Sequence, residues 1–149
     1  MRFDLIVNQF VLQAVTTGKL AVYQDSYRRF FVHVRDVARA MLSVLNAPIE
    51  KVRNQVFNVG SECLNTTKQE LVLLIRKDLP GLKVEHLDSA FCNDLRSIHV
   101  SFKKIRTVLH FDACVTLDEG IAELLWAVRE GIIRHPANDR YRNHPPIEM

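Results

Sequence analysis

The sequence predicts a mixed α/β fold in which short strands pack with about four main helices. Two observations carry this. Runs at residues 30–34 and 55–59 have the β-branched and aromatic composition of strands, 20–23 is short, apolar and β-compatible, and 83–87 is a weaker strand candidate. Between them apolar residues recur at helical spacing, and two Thr-x-x-Glu boxes, Thr67 with Glu70 and Thr116 with Glu119, mark helix starts. In such a box the hydroxyl and the carboxylate reciprocally satisfy free backbone donors.

Taken in order, Phe3, Ile6, Val7, Phe10, Val11 and Ala14 define a first helix. Gly18 ends it, because glycine readily takes the left-handed conformation that closes helices. Asn8 lies beside Val11, Leu12 and Val15 on that helix, and reads equally as a partly exposed amide and as a ligand contact. The 20–23 run leads into a loop with two adjacent arginines, Arg28 and Arg29, ahead of the 30–34 strand. Neighbouring strand residues face opposite ways, so one of the two should turn toward solvent or a ligand.

Val34, Val37, Ala38, Met41, Leu42 and Leu45 then switch to helical spacing, with Asp36 placed as an N-cap and Pro48 blocking continuation. Gly60 ends the 55–59 strand. The helix from Thr67 carries Leu71, Leu74 and Ile75 and stops near Pro80 and Gly81. Ser101 can cap a short helix with Phe102, Ile105 and Leu109. Leu117, Ile121, Leu124, Leu125 and Val128 share one face of a last long helix that ends at Gly131. Residues 1–133 read as one folded lobe, and residues 134–149, with three prolines, as a loose tail.

At 149 residues and 48% hydrophobic content, the chain can build one globular core. A net charge of only +3 with interspersed signs argues against a nucleic-acid partner. No apolar run reaches transmembrane length, and an acid and an amide near the start do not resemble a signal peptide. Cys63, Cys92 and Cys114 form no C-x-x-C pair, which argues against a disulfide framework or zinc site and fits a reducing cytoplasmic location.

Local catalytic signatures are absent from the sequence. The five glycines, at 18, 60, 81, 120 and 131, are too far apart for a dinucleotide-binding turn. The six histidines form no H-E-x-x-H pair, and His33 reads as a hydrogen-bonded core histidine. Arg28, Arg29 and Arg96 are more suggestive, since guanidinium forks match phosphate oxygens. Each one alone also reads as surface charge or as half of an Arg-Asp pair.

Several segments in order resemble the substrate-binding, C-terminal portion of the extended short-chain dehydrogenases/reductases, the NAD-dependent epimerase/dehydratase family acting on nucleotide sugars. They are Met1-Arg-Phe-Asp-Leu-Ile-Val-Asn8, Leu20-Ala-Val-Tyr23, Arg29-Phe-Phe-Val-His-Val-Arg-Asp-Val-Ala38, Val56-Phe-Asn-Val-Gly60 with Asn65-Thr-Thr-Lys68, Asp94-Leu-Arg96 with Val100-Ser-Phe-Lys-Lys104, and Leu109-His-Phe111 with Thr116-Leu-Asp-Glu-Gly120. The resemblance implies that Asn8 contacts the substrate's phosphate region. It likewise implies that Ala21 and Tyr23 hold the base, and that Arg29 and Arg96 grip the diphosphate of a nucleoside-diphosphate sugar.

Two departures qualify it. Gln24-Asp-Ser-Tyr27 stands where the family carries glycines. The family's glycine-rich NAD fingerprint and its Tyr-x-x-x-Lys pair lie upstream of the segment matching Met1, and no tyrosine here is followed four residues later by lysine. The implied chain is therefore a substrate-binding lobe without its Rossmann domain, a truncated or split enzyme inactive alone. It would bind no cofactor itself, with NAD(P) belonging to the parent family. Its partners would be a nucleoside-diphosphate sugar and a missing Rossmann-domain subunit or further copies of itself. The alternative is a stand-alone nucleotide-sugar-binding or protein-interaction module without catalysis.

Overall fold

The apolar stripe of the first segment winds into α1, Ile6–Thr17, which Gly18 closes at φ 65° with its N–H donated to Ala14 O. The computed structural model describes residues 1–87 and 97–143. After α1 come β1 (Lys19–Tyr23), β2 (Arg28–Phe30), α2 (Val34–Leu45), the single turn α3 (Ile49–Val52), β3 (Asn65–Thr67), α4 (Lys68–Asp78), β4 (Lys83–Leu87), α5 (Lys103–Leu109) and α6 (Leu117–Arg129). Mixed α/β architecture is thus what forms. Among the described residues no helix is long and apolar enough to cross a membrane.

The strands make two small sheets. β1 and β4 run parallel, from Lys19 opposite Lys83 to Tyr23 opposite Leu87. β2 and β3 run antiparallel, pairing Arg28 with Thr67 and Phe30 with Asn65. Two-stranded sheets are marginal alone, so packing must support them. Leu20 and Val22 of β1 point into a core shared with Val11 of α1, Leu71 and Ile75 of α4, and Ile121 of α6. A second cluster joins Ala40 of α2 to Phe102, Ile105 and Phe111. Gly60 permits that packing: a Cβ there would lie 2.5 Å from a carbon of the Phe102 ring.

Both capping boxes form. Thr67 Oγ1 accepts the Glu70 N–H while the Glu70 carboxylate accepts the Thr67 N–H, and Thr116 and Glu119 repeat the arrangement. Three other expectations are corrected. Only Phe30 of the 30–34 run lies in a strand, and α2 begins at Val34 because His33 is its N-cap, its Nδ1 accepting the Arg35 N–H at 3.2 Å. Asp36 is therefore inside the first turn, where its buried carboxylate accepts the Val115 and Cys114 N–H groups and the Arg39 guanidinium. Among the described residues the 55–59 segment joins no ladder, although Phe57 and Val59 are half-buried and Val56 is 80% exposed.

Residues near the C-terminus fold back on the start of the chain. Phe3, fully buried, donates its N–H to Tyr141 O at 2.8 Å and meets the Tyr141 ring edge-on. Asn143 donates its N–H to Asp4 Oδ2 at 3.1 Å.

Candidate functional site

A cavity of about 820 Å³ opens where the start of the chain, the N-terminal half of α1, residues 29–34 and the first turns of α6 meet. Its wall is largely apolar, with Leu5, Phe31, Leu117 and Leu124 among the lining side chains. Arg2 and Asp4 form a two-point pair, with Nε to Oδ1 at 3.0 Å and Nη2 to Oδ2 at 2.6 Å. That guanidinium first, and the Asn143 N–H second, hold the Asp4 carboxyl well below the usual carboxylate range. Asn8 donates from Nδ2 to Arg2 O at 2.7 Å, which fixes the amide against the incoming chain.

The two adjacent arginines divide as β-strand geometry requires. Arg28 turns to β3 and α4, donating to Asn65 O at 3.0 Å with Glu70 Oε1 at 4.0 Å. Arg29 lines the cavity, with Nη1 donating to Arg28 O at 2.9 Å. A guanidinium beside an apolar wall is partly desolvated, which strengthens its pull on an anion.

Of the residues singled out from sequence, Asn8 and Arg29 thus reach one cavity. Ala21 and Tyr23 share the other face of β1 from Leu20 and Val22, and neither lines that cavity. Tyr23 O accepts Lys68 Nζ at 2.7 Å. Arg96 lies outside the described residues. Sequence reasoning missed Glu123, Arg35 and the cavity position of His33: Glu123 Oε2 sits 3.2 Å from Arg35 Nη2 and 3.5 Å from His33 Nε2. These groups lie about 90 residues apart, so no spacing rule could have joined them. Among the described residues no three His, Cys, Asp or Glu side chains gather as a metal site would need.

A second concavity is an apolar groove of about 490 Å³ between α2 and residues 52–59, lined by Val37, Met41, Leu45, Val52 and Phe57. It carries no charged lining residue.

Residues 4–60 match the model of the NAD dependent epimerase/dehydratase family. Among solved structures, the ADP-L-glycero-D-manno-heptose-6-epimerase of Helicobacter pylori is 22% identical, with 83% of this chain and 37% of that chain covered at a TM-score of 0.67. An NAD dependent NDP-hexosamine 5,6-dehydratase of tunicamycin biosynthesis is 19% identical, with 86% and 40% covered at 0.72. The L-threonine dehydrogenase of Phytophthora infestans is 16% identical, with 82% and 40% covered at 0.69. The chain spans about two fifths of the length of these structures. It thus resembles the NAD dependent epimerase/dehydratase family, in sequence over residues 4–60 and in fold over more than four fifths of its length.

Proposed function

We propose that this chain is the substrate-binding part of an NAD-dependent nucleotide-sugar epimerase or dehydratase, truncated or one half of a split enzyme. One observation carries the reading: Arg29 from β2 and Asn8 from α1 meet on a single large cavity, inside the segment that matches the family. Two of the similar structures are named for sugar-nucleotide substrates. In the proposed role Arg29 holds the diphosphate, Asn8 contacts the phosphate region, and Ala21 and Tyr23 hold the base from β1, with Arg96 as a second diphosphate contact. In this role the chain binds and orients the substrate.

The described residues do not fit a dinucleotide. Its pyrophosphate needs a glycine-rich turn between strand and helix, where backbone N–H groups are free. Here Gly18 closes α1, Gly60 is pressed against Phe102 and Gly120 lies within α6. Where β3 runs straight into α4, Thr67 and Glu70 occupy each other's N–H groups. We therefore assign NAD(P) binding to a Rossmann-domain partner. The apolar groove beside α2 and the unladdered 55–59 segment support a docking face for it.

A second reading, a stand-alone binding module, is favoured by Tyr141 and Asn143, which brace the cavity's N-terminal wall from within the chain. Both readings require nucleotide-sugar binding. Calorimetric titration of UDP-, ADP- and GDP-hexoses tests it, with Arg29→Ala expected to lose about 2–5 kcal/mol, the usual cost of truncating one side of a desolvated charge pair. Arg28→Ala should bind as wild type does. Equal losses for both variants, or no binding by the wild type, would overturn the proposal.

A further inference from the structure

We infer that Glu123, oriented by His33 and Arg35, accepts hydrogen bonds from hydroxyl groups of the hexose moiety of the bound ligand, an inference that rests on the nucleotide-sugar reading above. Two carboxylates stand on the cavity wall, Asp4 and Glu123. Asp4 is consumed: both its oxygens are held by Arg2, and one also takes the Asn143 N–H. Glu123 is engaged through one oxygen only. Oε2 faces both Arg35 Nη2 and His33 Nε2, and among the described residues nothing bonds Oε1.

The support behind Glu123 has a defined direction. His33 Nδ1 accepts the Arg35 N–H as the N-cap of α2, so in the neutral ring the proton sits on Nε2, the nitrogen nearest Glu123. The same residue that starts α2 therefore donates toward the carboxylate. Arg35, whose N–H makes that cap bond, offsets the carboxylate's charge with its guanidinium. What remains at the wall is an acceptor oxygen on a carboxylate whose charge Arg35 offsets. Such a group suits a neutral hydroxyl donor better than a cation.

The cavity wall consequently carries two unlike polar groups, a guanidinium for phosphate oxygens and a carboxylate oxygen for sugar hydroxyls, among largely apolar lining residues. A nucleoside-diphosphate sugar presents both features. Glu123 would contact the ligand directly, while His33 and Arg35 are positioning residues.

The test compares UDP-hexose and GDP-hexose with UDP and GDP in calorimetric titrations of the whole chain. The wild type should bind the sugar nucleotide more tightly than the bare nucleotide. Glu123→Gln should weaken the sugar nucleotide about tenfold or more, the usual worth of a hydrogen bond to a charged acceptor, and leave the bare nucleotide unchanged. His33→Asn, which keeps a capping oxygen but cannot reach Glu123, should show the same selective loss with α2 intact by circular dichroism. Equal weakening of both ligands, or no change in either variant, overturns the inference while leaving nucleotide binding standing. A wild type that binds neither ligand overturns it together with the proposed function.

Discussion

The Asp36 carboxylate accepts the backbone N–H of Val115 at 2.9 Å, which ties the first turn of α2 to the segment entering α6. Cys114 donates its N–H to the same oxygen at 3.1 Å, and Arg39 Nη1 lies 2.6 Å from the other. Removing the carboxylate would strand two backbone donors beside a fully buried site. Asp36→Ala should therefore destabilise the chain by about 2–4 kcal/mol in urea unfolding, and Asp36→Asn by less, since one amide oxygen can still accept.

Acid stability should follow from the same residue. Burial pushes the Asp36 carboxyl up, and the bonds from Val115, Arg39 and Cys114 outweigh it, leaving the group below its ordinary value. Glu70 is likewise lowered, first by the Thr66 hydroxyl and then by the Thr67 N–H. A carboxylate whose folded value is lower contributes stability above its unfolded value and loses it as pH falls through the folded one. Stability should be level near neutrality and decline below about pH 4, and Asp36→Ala should flatten that decline in denaturant melts taken across the acid range.

Each capping threonine should contribute independently. Thr67→Ala and Thr116→Ala remove the acceptor for Glu70 N–H and Glu119 N–H, and each should cost about 0.5–2 kcal/mol. Changes near zero in both would mean that tertiary packing alone fixes these helix starts.

The contrast between these threonines and Asp36 explains what the sequence could reveal. A capping box is complete within four residues, so Thr67 and Thr116 were readable without any tertiary information. Asp36 looked like another local cap, but the backbone N–H groups it accepts lie 78 and 79 residues away. His33 took the cap instead, with a ring nitrogen that no simple preference rule puts first. The 30–34 and 55–59 runs have strand composition, yet a ladder needs a neighbour at the right distance, and composition says nothing about where one will be. Strand alternation said only that one of Arg28 and Arg29 would turn outward; the family resemblance singled out Arg29, and its company with Glu123 on the cavity wall was not legible.

Apolar exposure should be measurable. Met41, Leu45, Ile49 and Val56 are 60–80% exposed around the α2 groove, more apolar surface in one region than isolated surface residues account for. The purified chain should bind a hydrophobic dye more than a compact monomer does, or self-associate, and Leu45→Lys with Val56→Lys should suppress both. Dye binding at the compact level with monomeric sedimentation would count against a missing partner.

No NAD-dependent conversion of nucleotide sugars is expected from the purified chain. Turnover of any sugar nucleotide by the isolated polypeptide, followed by nicotinamide absorbance, would contradict the division of labour proposed above.

The pairing of Phe3 with Tyr141 and of Asp4 with Asn143 keeps the two ends of the described chain side by side, and Met1 and Arg2 belong to the cavity wall. Any polypeptide joined ahead of residue 1 is consequently delivered to the rim of that cavity. A short tether holds a module there at high effective concentration, so even a weak interface would keep it seated. For a module attached there, the point of attachment can accomplish what affinity alone would otherwise have to supply.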